Sequence, residues 1–195
     1  MDNLSISLKN LQTEYVDAYL LHFPNGEWVR MYRDIEMEYK KGRAKSIGVC
    51  NFDIEDIEIL LKNVEIKPMI CQVEIHPLNT KKDLIQYCKR EGIVIMAHTP
   101  TGHMHSKITS SEIIVKLTEK YNKSIAQVIY KWHIQNDVIP IVSSTLSQHI
   151  KENLDIYDFE LTERELLEID TLNENFSIDK NNNKMNDCPE FIYNV

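Results

Sequence analysis

No stretch of this 195-residue chain holds the roughly 18 consecutive apolar residues that a helix needs to cross a bilayer. The N-terminal MDNLSISLKN lacks a basic segment followed by an apolar one, so no secretory signal is read there and the expected compartment is the cytoplasm. Cysteine is scarce: Cys50, Cys71, Cys88 and Cys188 form no C-x-x-C pair. Two of them lie in apolar runs and read as buried thiols of a reducing compartment, not as a disulfide framework. Positive charge is in deficit, with 22 Lys and Arg against 30 Asp and Glu and a net charge of -8. That balance argues against general binding to nucleic acid or to an anionic membrane. The lysines and Arg90 between residues 81 and 90 are interleaved with acidic and apolar residues and make no basic patch. His103-x-His105 lies in a polar turn without a third ligand, so no metal is expected. No G-x-G-x-x-G follows any apolar run, and the fingerprint of the open dinucleotide-binding sheet is therefore missing.

What is present fits a globular α/β chain. Apolar residues make up 43% and charged residues 27%, near the average for folded domains. A chain of this length reads as one domain that buries about 70% of the surface its unfolded form exposes. Leu4, Leu8 and Leu11 recur at helical spacing over residues 3–12. Tyr15–Phe23 is an apolar run of strand type, broken by Pro24, Asn25 and Gly26. Trp28, Met31, Ile35 and Tyr39 mark a helix over 27–41, with Gly42 at its C-cap. The alternation continues with strands over 46–49, 69–75, 93–97 and 138–142 and helices over 53–61, 80–90, 110–121, 124–136, 146–154 and 162–173. Gly92 caps the helix before the fourth strand, and TPTGHMHSK (residues 99–107) reads as a turn region. Ser124 with Gln127, and Thr162 with Glu165, have the spacing of capping boxes. Five strands, each followed by a helix and none joined by a tight turn, require parallel strands with helical crossovers, in a barrel or an open sheet.

In a parallel barrel the chemistry sits at the C-terminal ends of the strands. There the sequence places His22-Phe23-Pro24, then Cys50-Asn51-Phe52, then Gln72 and Glu74 ahead of His76-Pro77, then His98-Thr99-Pro100, then Ser143-Ser144-Thr145. Imidazoles, amides and hydroxyls thus gather on one face, the composition of a site for a polar ligand. Taken singly, each such group more often caps a helix or closes a turn.

Five segments carry a family resemblance: SLKNLQTEYVDAYLLHFP (7–24), GRAKSIGVCNF (42–52), PMICQVEIHPLNTKKDLIQYCKREGIVIMAHTP (68–100), SIAQVIYKWHIQNDVIPI (124–141) and HIKENLDIYDFELTERELLEIDTLN (149–173). In combination they resemble the aldo-keto reductases over nearly all of residues 7–173. The resemblance implies a (β/α)8 TIM barrel that binds NADPH, or less often NADH (NADP or NAD), and reduces aldehydes or ketones to alcohols. It implies that His22 orients the substrate carbonyl and that Asn51 and Gln72 hydrogen-bond the nicotinamide carboxamide. Cys50 stands where a serine usually partners that asparagine, and His98 where a tyrosine stacks on the nicotinamide ring. Glu152 and Asn153 match the pair at the adenine end, while Glu74 and His76 match structural positions.

The departures matter as much. The family's isoleucine-proline-lysine-serine signature reads here Ile141-Val142-Ser143-Ser144, and His149 stands where an arginine clamps the 2′-phosphate. Both cations are replaced, so preference for NADPH over NADH is expected to weaken. Residues 7–24 match the family's fourth strand and the helix before it. The chain therefore reads as a partial (β/α)8 barrel, strands 4–8, over residues 1–173, with a polar, Asn-rich tail over 174–195 that reads as a mobile arm, in which Phe191, Ile192 and Tyr193 are the residues that could dock. The aspartate, tyrosine and lysine of the family's catalytic tetrad find no match in it, and Tyr15, Tyr19, Tyr32 and Tyr39 read as packing. General acid catalysis of the kind that tyrosine supplies contributes roughly 10²–10⁴-fold. An oxidoreductase weak or inactive as this chain alone is expected. The alternatives are a non-catalytic binding or regulatory subunit, and a longer enzyme in which Met1 is not the true start. The edge strands, 15–23 and 138–142, invite pairing with a second copy or another chain. A small carbonyl substrate is expected as partner; nucleic acid and membrane are not.

Overall fold

The computed structural model describes residues 3–178; the expectations for 179–195, including Cys188, Phe191, Ile192 and Tyr193, lie outside the described residues. Chain order runs α1 (Asn3–Leu11), β1 (Val16–Leu21), α2 (Trp28–Lys40), β2 (Ala44–Cys50), α3 (Ile54–Leu61), β3 (Ile70–Glu74), α4 (Lys82–Glu91) and β4 (Val94–His98). A single 3₁₀ turn at Gly102–Met104 follows, then α5 (Ser106–Thr109), α6 (Glu112–Tyr121), α7 (Ile125–Gln135), β5 (Val138–Pro140), α8 (Ser147–Leu154) and α9 (Glu163–Asp170). The strands form one parallel five-stranded sheet in the order β1-β2-β3-β4-β5, with β1 and β5 at its edges. No helix among the described residues is long and apolar enough to cross a membrane.

The chain folds as two compact units that divide between Cys71 and Gln72. In the first, α2 lies against β1 and β2. Ile47, Val49, Phe52, Ile57, Leu60, Tyr32 and Ile35 are buried, and Leu4 and Leu8 of α1 are buried as their spacing predicts. On α2 Ile35 is buried as expected, Tyr32 and Glu36 are buried with it, Trp28 and Tyr39 are half-buried, and Met31 is 48% exposed. The buried Glu36 carboxylate accepts the main-chain N–H groups of Glu65 (2.9 Å) and Ile66 (2.6 Å) in the loop leading to β3.

In the second unit the core gathers Val73, Ile95 and Ala97 of the strands, Ile75 just past β3, and Leu84, Cys88, Val128, Ile129 and Trp132 of the helices. Both expected capping boxes form. Ser124 accepts from Gln127 N while Gln127 accepts from Ser124 N, and Thr162 and Glu165 do the same. Gly92 ends α4 at φ 68. Strand β5 stops at Pro140, two residues before the expected 142, and the turn region after β4 contains the short α5. Residues 174–178 are held: Leu78 O accepts from both Glu174 N and Phe176 N, each at 3.0 Å.

Candidate functional site

The first unit brings two of the expected residues together. Parallel pairing sets Leu20 opposite Gly48 and Leu21 opposite Val49, so the chain leaves β1 and β2 at one level. Past β2, Asn51 turns left-handed at φ 62, a conformation Asn tolerates better than most residues. Its Nδ2 donates to the His22 carbonyl oxygen at 3.1 Å. Two residues on, Asp53 starts α3 with a capping box: its carboxylate accepts from Asp56 N at 2.9 Å, and that of Asp56 accepts from Asp53 N at 3.2 Å. Strand end, left-handed turn and helix cap together fix where Asn51 points.

His22 is exposed, its ring 4.1 Å from that of Phe23, and the burial of its inner edge lowers its pKa. The imidazole is therefore neutral at pH 7, with one N–H to donate to a carbonyl oxygen. Cys50 is 7% exposed, and burial pushes its thiol up to about 12. It is a neutral, weak hydrogen-bonding group, not a nucleophile. Trp28 meets buried Phe52 edge-on at 5.2 Å beneath this turn.

In the second unit, Gln72 is half-buried on β3. His98 ends β4 with Nδ1 3.2 Å from Thr99 Oγ1. Thr99 adopts φ 52, a strained conformation for a β-branched residue, at a cost of about 1–3 kcal/mol. Asn51 and Thr99 thus each take positive φ one residue beyond a strand.

After β5, Ser144 Oγ accepts from Leu146 N at 3.1 Å and shapes the entry to α8. No side chain caps α8 at Leu146, so its first-turn N–H groups are open to an acceptor. Ser143 and His149 are exposed, and Ser144, Glu152 and Asn153 are half-buried. Gln127 of α7 donates from Nε2 to Glu152 O (3.1 Å) and Asp155 O (2.9 Å), fixing the end of α8, while Gln148 holds the Glu152 carboxylate at 2.8 Å. Hydroxyls, an imidazole and helix N–H groups could accept a polar, anionic ligand, and neither position 143 nor 149 is a lysine or arginine. Among the described residues no group of three or more His, Cys, Asp or Glu is placed to hold a metal. His105 instead accepts from Lys107 N at the start of α5.

Glu74, read from the sequence as a structural position, is buried beside His76. Its carboxylate, 4% exposed, meets His76 Nε2 at 2.9 Å, Ser177 Oγ at 2.5 Å and Ile178 N at 2.6 Å. The Glu-x-His spacing is visible in the sequence, but its partners lie more than a hundred residues away and leave no local signal.

Over residues 1–174 the chain matches the model of the Aldo/keto reductase family. It is 43% identical over 173 residues to the uncharacterized oxidoreductase YtbE of Bacillus subtilis, covering 88% of this chain and 61% of that protein. It is 42% identical over 176 residues to the glyoxal reductase of the same organism, covering 90% and 63%. Among solved structures, the aldo-keto reductase of Bombyx mori in complex with NADP superposes with a TM-score of 0.85 at 34% identity, covering 90% of this chain and 63% of that one. The chain thus spans less than two thirds of the length of these relatives. Family match, sequence identity and superposition agree: the chain belongs to the aldo/keto reductase family.

Proposed function

We propose that this chain carries the carbonyl-orienting and cofactor-holding half of a nicotinamide-dependent reductase of small aldehydes and ketones. The observation that carries it is the pairing of exposed, neutral His22 with Asn51, whose left-handed turn and bond to His22 O fix both at the strand ends. In this reading His22 donates a hydrogen bond to the substrate carbonyl, and Asn51 and Gln72 hold the carboxamide of NADP or NAD. A nicotinamide supplies hydride when bound. His98 lies against the ring, with Cys50 a weak stand-in for a hydroxyl donor. Ser143, Ser144, His149, Glu152 and Asn153 take the adenine end, and without a cation at 143 or 149 the preference for NADPH over NADH is small. Glyoxal and methylglyoxal are the first substrates to try, since relatives are a glyoxal reductase and a methylglyoxal reductase.

The chain corresponds to strands 4–8 of the barrel, over residues 1–173, and works in the cytoplasm. The 195 residues alone reduce carbonyls weakly or not at all, because no residue among them matches the tetrad's aspartate, tyrosine and lysine. The edges of β1 and β5 pair with a second copy or another chain. On β5 and beyond, Ile139, Ile141 and Val142 are 46%, 43% and 40% exposed, apolar surface that pairing would cover.

Titration with NADPH and NADH, followed by nucleotide fluorescence, tests the reading, with an Asn51→Ala, Gln72→Ala double variant as control. Micromolar binding that the double variant loses is expected. Absence of binding to either nucleotide overturns it, and binding without turnover of glyoxal marks a non-catalytic subunit. Gel filtration of the same sample reads out self-association.

A further inference from the structure

Residues 173–178 cross the loop that follows β3 and are tied to it at each step. Asn173 Oδ1 accepts from Thr80 N at 3.1 Å, and Leu78 O accepts from Glu174 N and Phe176 N. Lys107 pairs with Glu174, and the Phe176 ring lies 5.5 Å from that of His105. The crossing ends at Glu74, where Ser177 Oγ and Ile178 N both donate to the buried carboxylate.

Ile178 in turn touches the loop after β4. Gly102 has φ +59, and a Cβ there would stand 2.7 Å from Ile108 Cδ1, 3.0 Å from Ile178 Cδ1 and 3.2 Å from His76 Cγ. Gly102 N donates to Thr99 O at 2.9 Å, and Thr99 adjoins His98. A continuous run of contacts therefore leads from Glu74 through Ile178 and Gly102 to Thr99.

We propose that Glu74 is a positioning residue, whose carboxylate latches residues 177–178 down and so holds the 99–105 loop, and His98 with it, in place. Three donors converge on this carboxylate. Burial pushes its pKa up, but the bonds from His76, Ser177 and Ile178 N outweigh that and hold it at about 2. It is ionised throughout the physiological range, and charge-assisted bonds are about twice as strong as neutral ones. His76 is fully buried behind it, with Nε2 on Glu74, and His133 of α7, which donates to Pro100 O at 2.9 Å, braces the same loop from the other side. The part of the proposal that concerns cofactor rests on the reading of His98 given above; the latch itself does not.

Ser177→Ala removes one donor from a half-buried position and leaves the core intact, and Ser177→Thr restores the hydroxyl. Hydrogen exchange on the full chain should show the amides of 99–105 and 174–178 exchanging about tenfold faster in Ser177→Ala. The α7 amides of Val128 and Ile129 should stay unchanged, and Ser177→Thr should return the wild-type pattern. Glu74→Gln, which keeps the shape and removes the charge, should loosen the same two segments. NADPH affinity should fall in Ser177→Ala and recover in Ser177→Thr. Faster exchange confined to 174–178 overturns the link to the loop, and a uniform rise across residues 72–178 reduces Glu74 to a general core group. If wild type binds no NADPH, the functional reading fails, and the exchange data alone decide the latch.

Discussion

Gly48 passes so close to Ile70 that a methyl group on its Cα would stand 2.2 Å from the Ile70 carbonyl oxygen and 2.9 Å from the carbonyl carbon. Both atoms are main chain and cannot rotate aside. Gly48→Ala must therefore push β2 away from the start of β3, where Met69 N donates to Ile47 O at 2.8 Å. A destabilisation of about 3 kcal/mol or more is expected, at the upper end for overpacking. Urea unfolding measures it, and a loss below about 1 kcal/mol would show that the strands separate easily.

Asn51 separates side-chain from backbone effects. At φ 62, glycine is at ease and alanine is not. Asn51→Gly should leave stability within about 0.5 kcal/mol of wild type, while Asn51→Ala should cost about 1–2 kcal/mol. Both lose the amide, so both should weaken nicotinamide nucleotide binding. Equal stability of the two variants would mean that the turn relaxes freely, and the argument that it fixes Asn51 would fail.

Local signals carried most of the architecture and the strand-end positions. Ser124 with Gln127, Thr162 with Glu165, Gly92, and the breaks at Pro24 and Gly26 announce elements within a few residues, because caps and turns are local hydrogen-bonding events. The positions of His22, Asn51 and His98 at strand ends were legible, since the end of an apolar run is easy to locate, whereas Gln72 lies in mid-strand and stood out only by resemblance. The partners that bury Glu36 and Glu74 were not legible, because they are main-chain N–H groups of distant segments, which leave no local signal. The strain at Thr99 was hidden because a threonine after a strand gives no hint of positive φ.

Thr99 offers a gain in stability. Replacing it by Asn removes the β-branch from a left-handed position and keeps a polar side chain beside His98. Thr99→Asn should stabilise the chain by about 1 kcal/mol, seen as a rise in Tm of a few degrees. The same change frees the strand end from strain, so nucleotide binding should weaken if the strained geometry orients His98. A Tm that falls would show that contacts of the threonine methyl outweigh its backbone strain.

His133 sets the acid limit of stability. It is fully buried; burial lowers its pKa, the bond to Pro100 O opposes, and His76 adds to the lowering, leaving it at about 4 against 6.5 unfolded. Above pH 6.5 the ring is neutral in both states and contributes no pH dependence. Between pH 6.5 and 4 the unfolded chain takes up a proton that the folded chain refuses, so stability falls with pH, by about 3 kcal/mol at the lower end. Below pH 4 the folded form protonates too and this loss levels off. Glu74 and Glu165, both held at about 2, add their own losses only as pH falls from 4.5 toward 2. His133→Gln keeps an N–H donor near Pro100 O and removes the titrating ring. Urea unfolding at pH 7, 5.5 and 4.5 should therefore give a steep decline for wild type and a shallow one for the variant. Parallel curves would assign the acid limb to other histidines, with His133 paying no proton-linked cost for its burial.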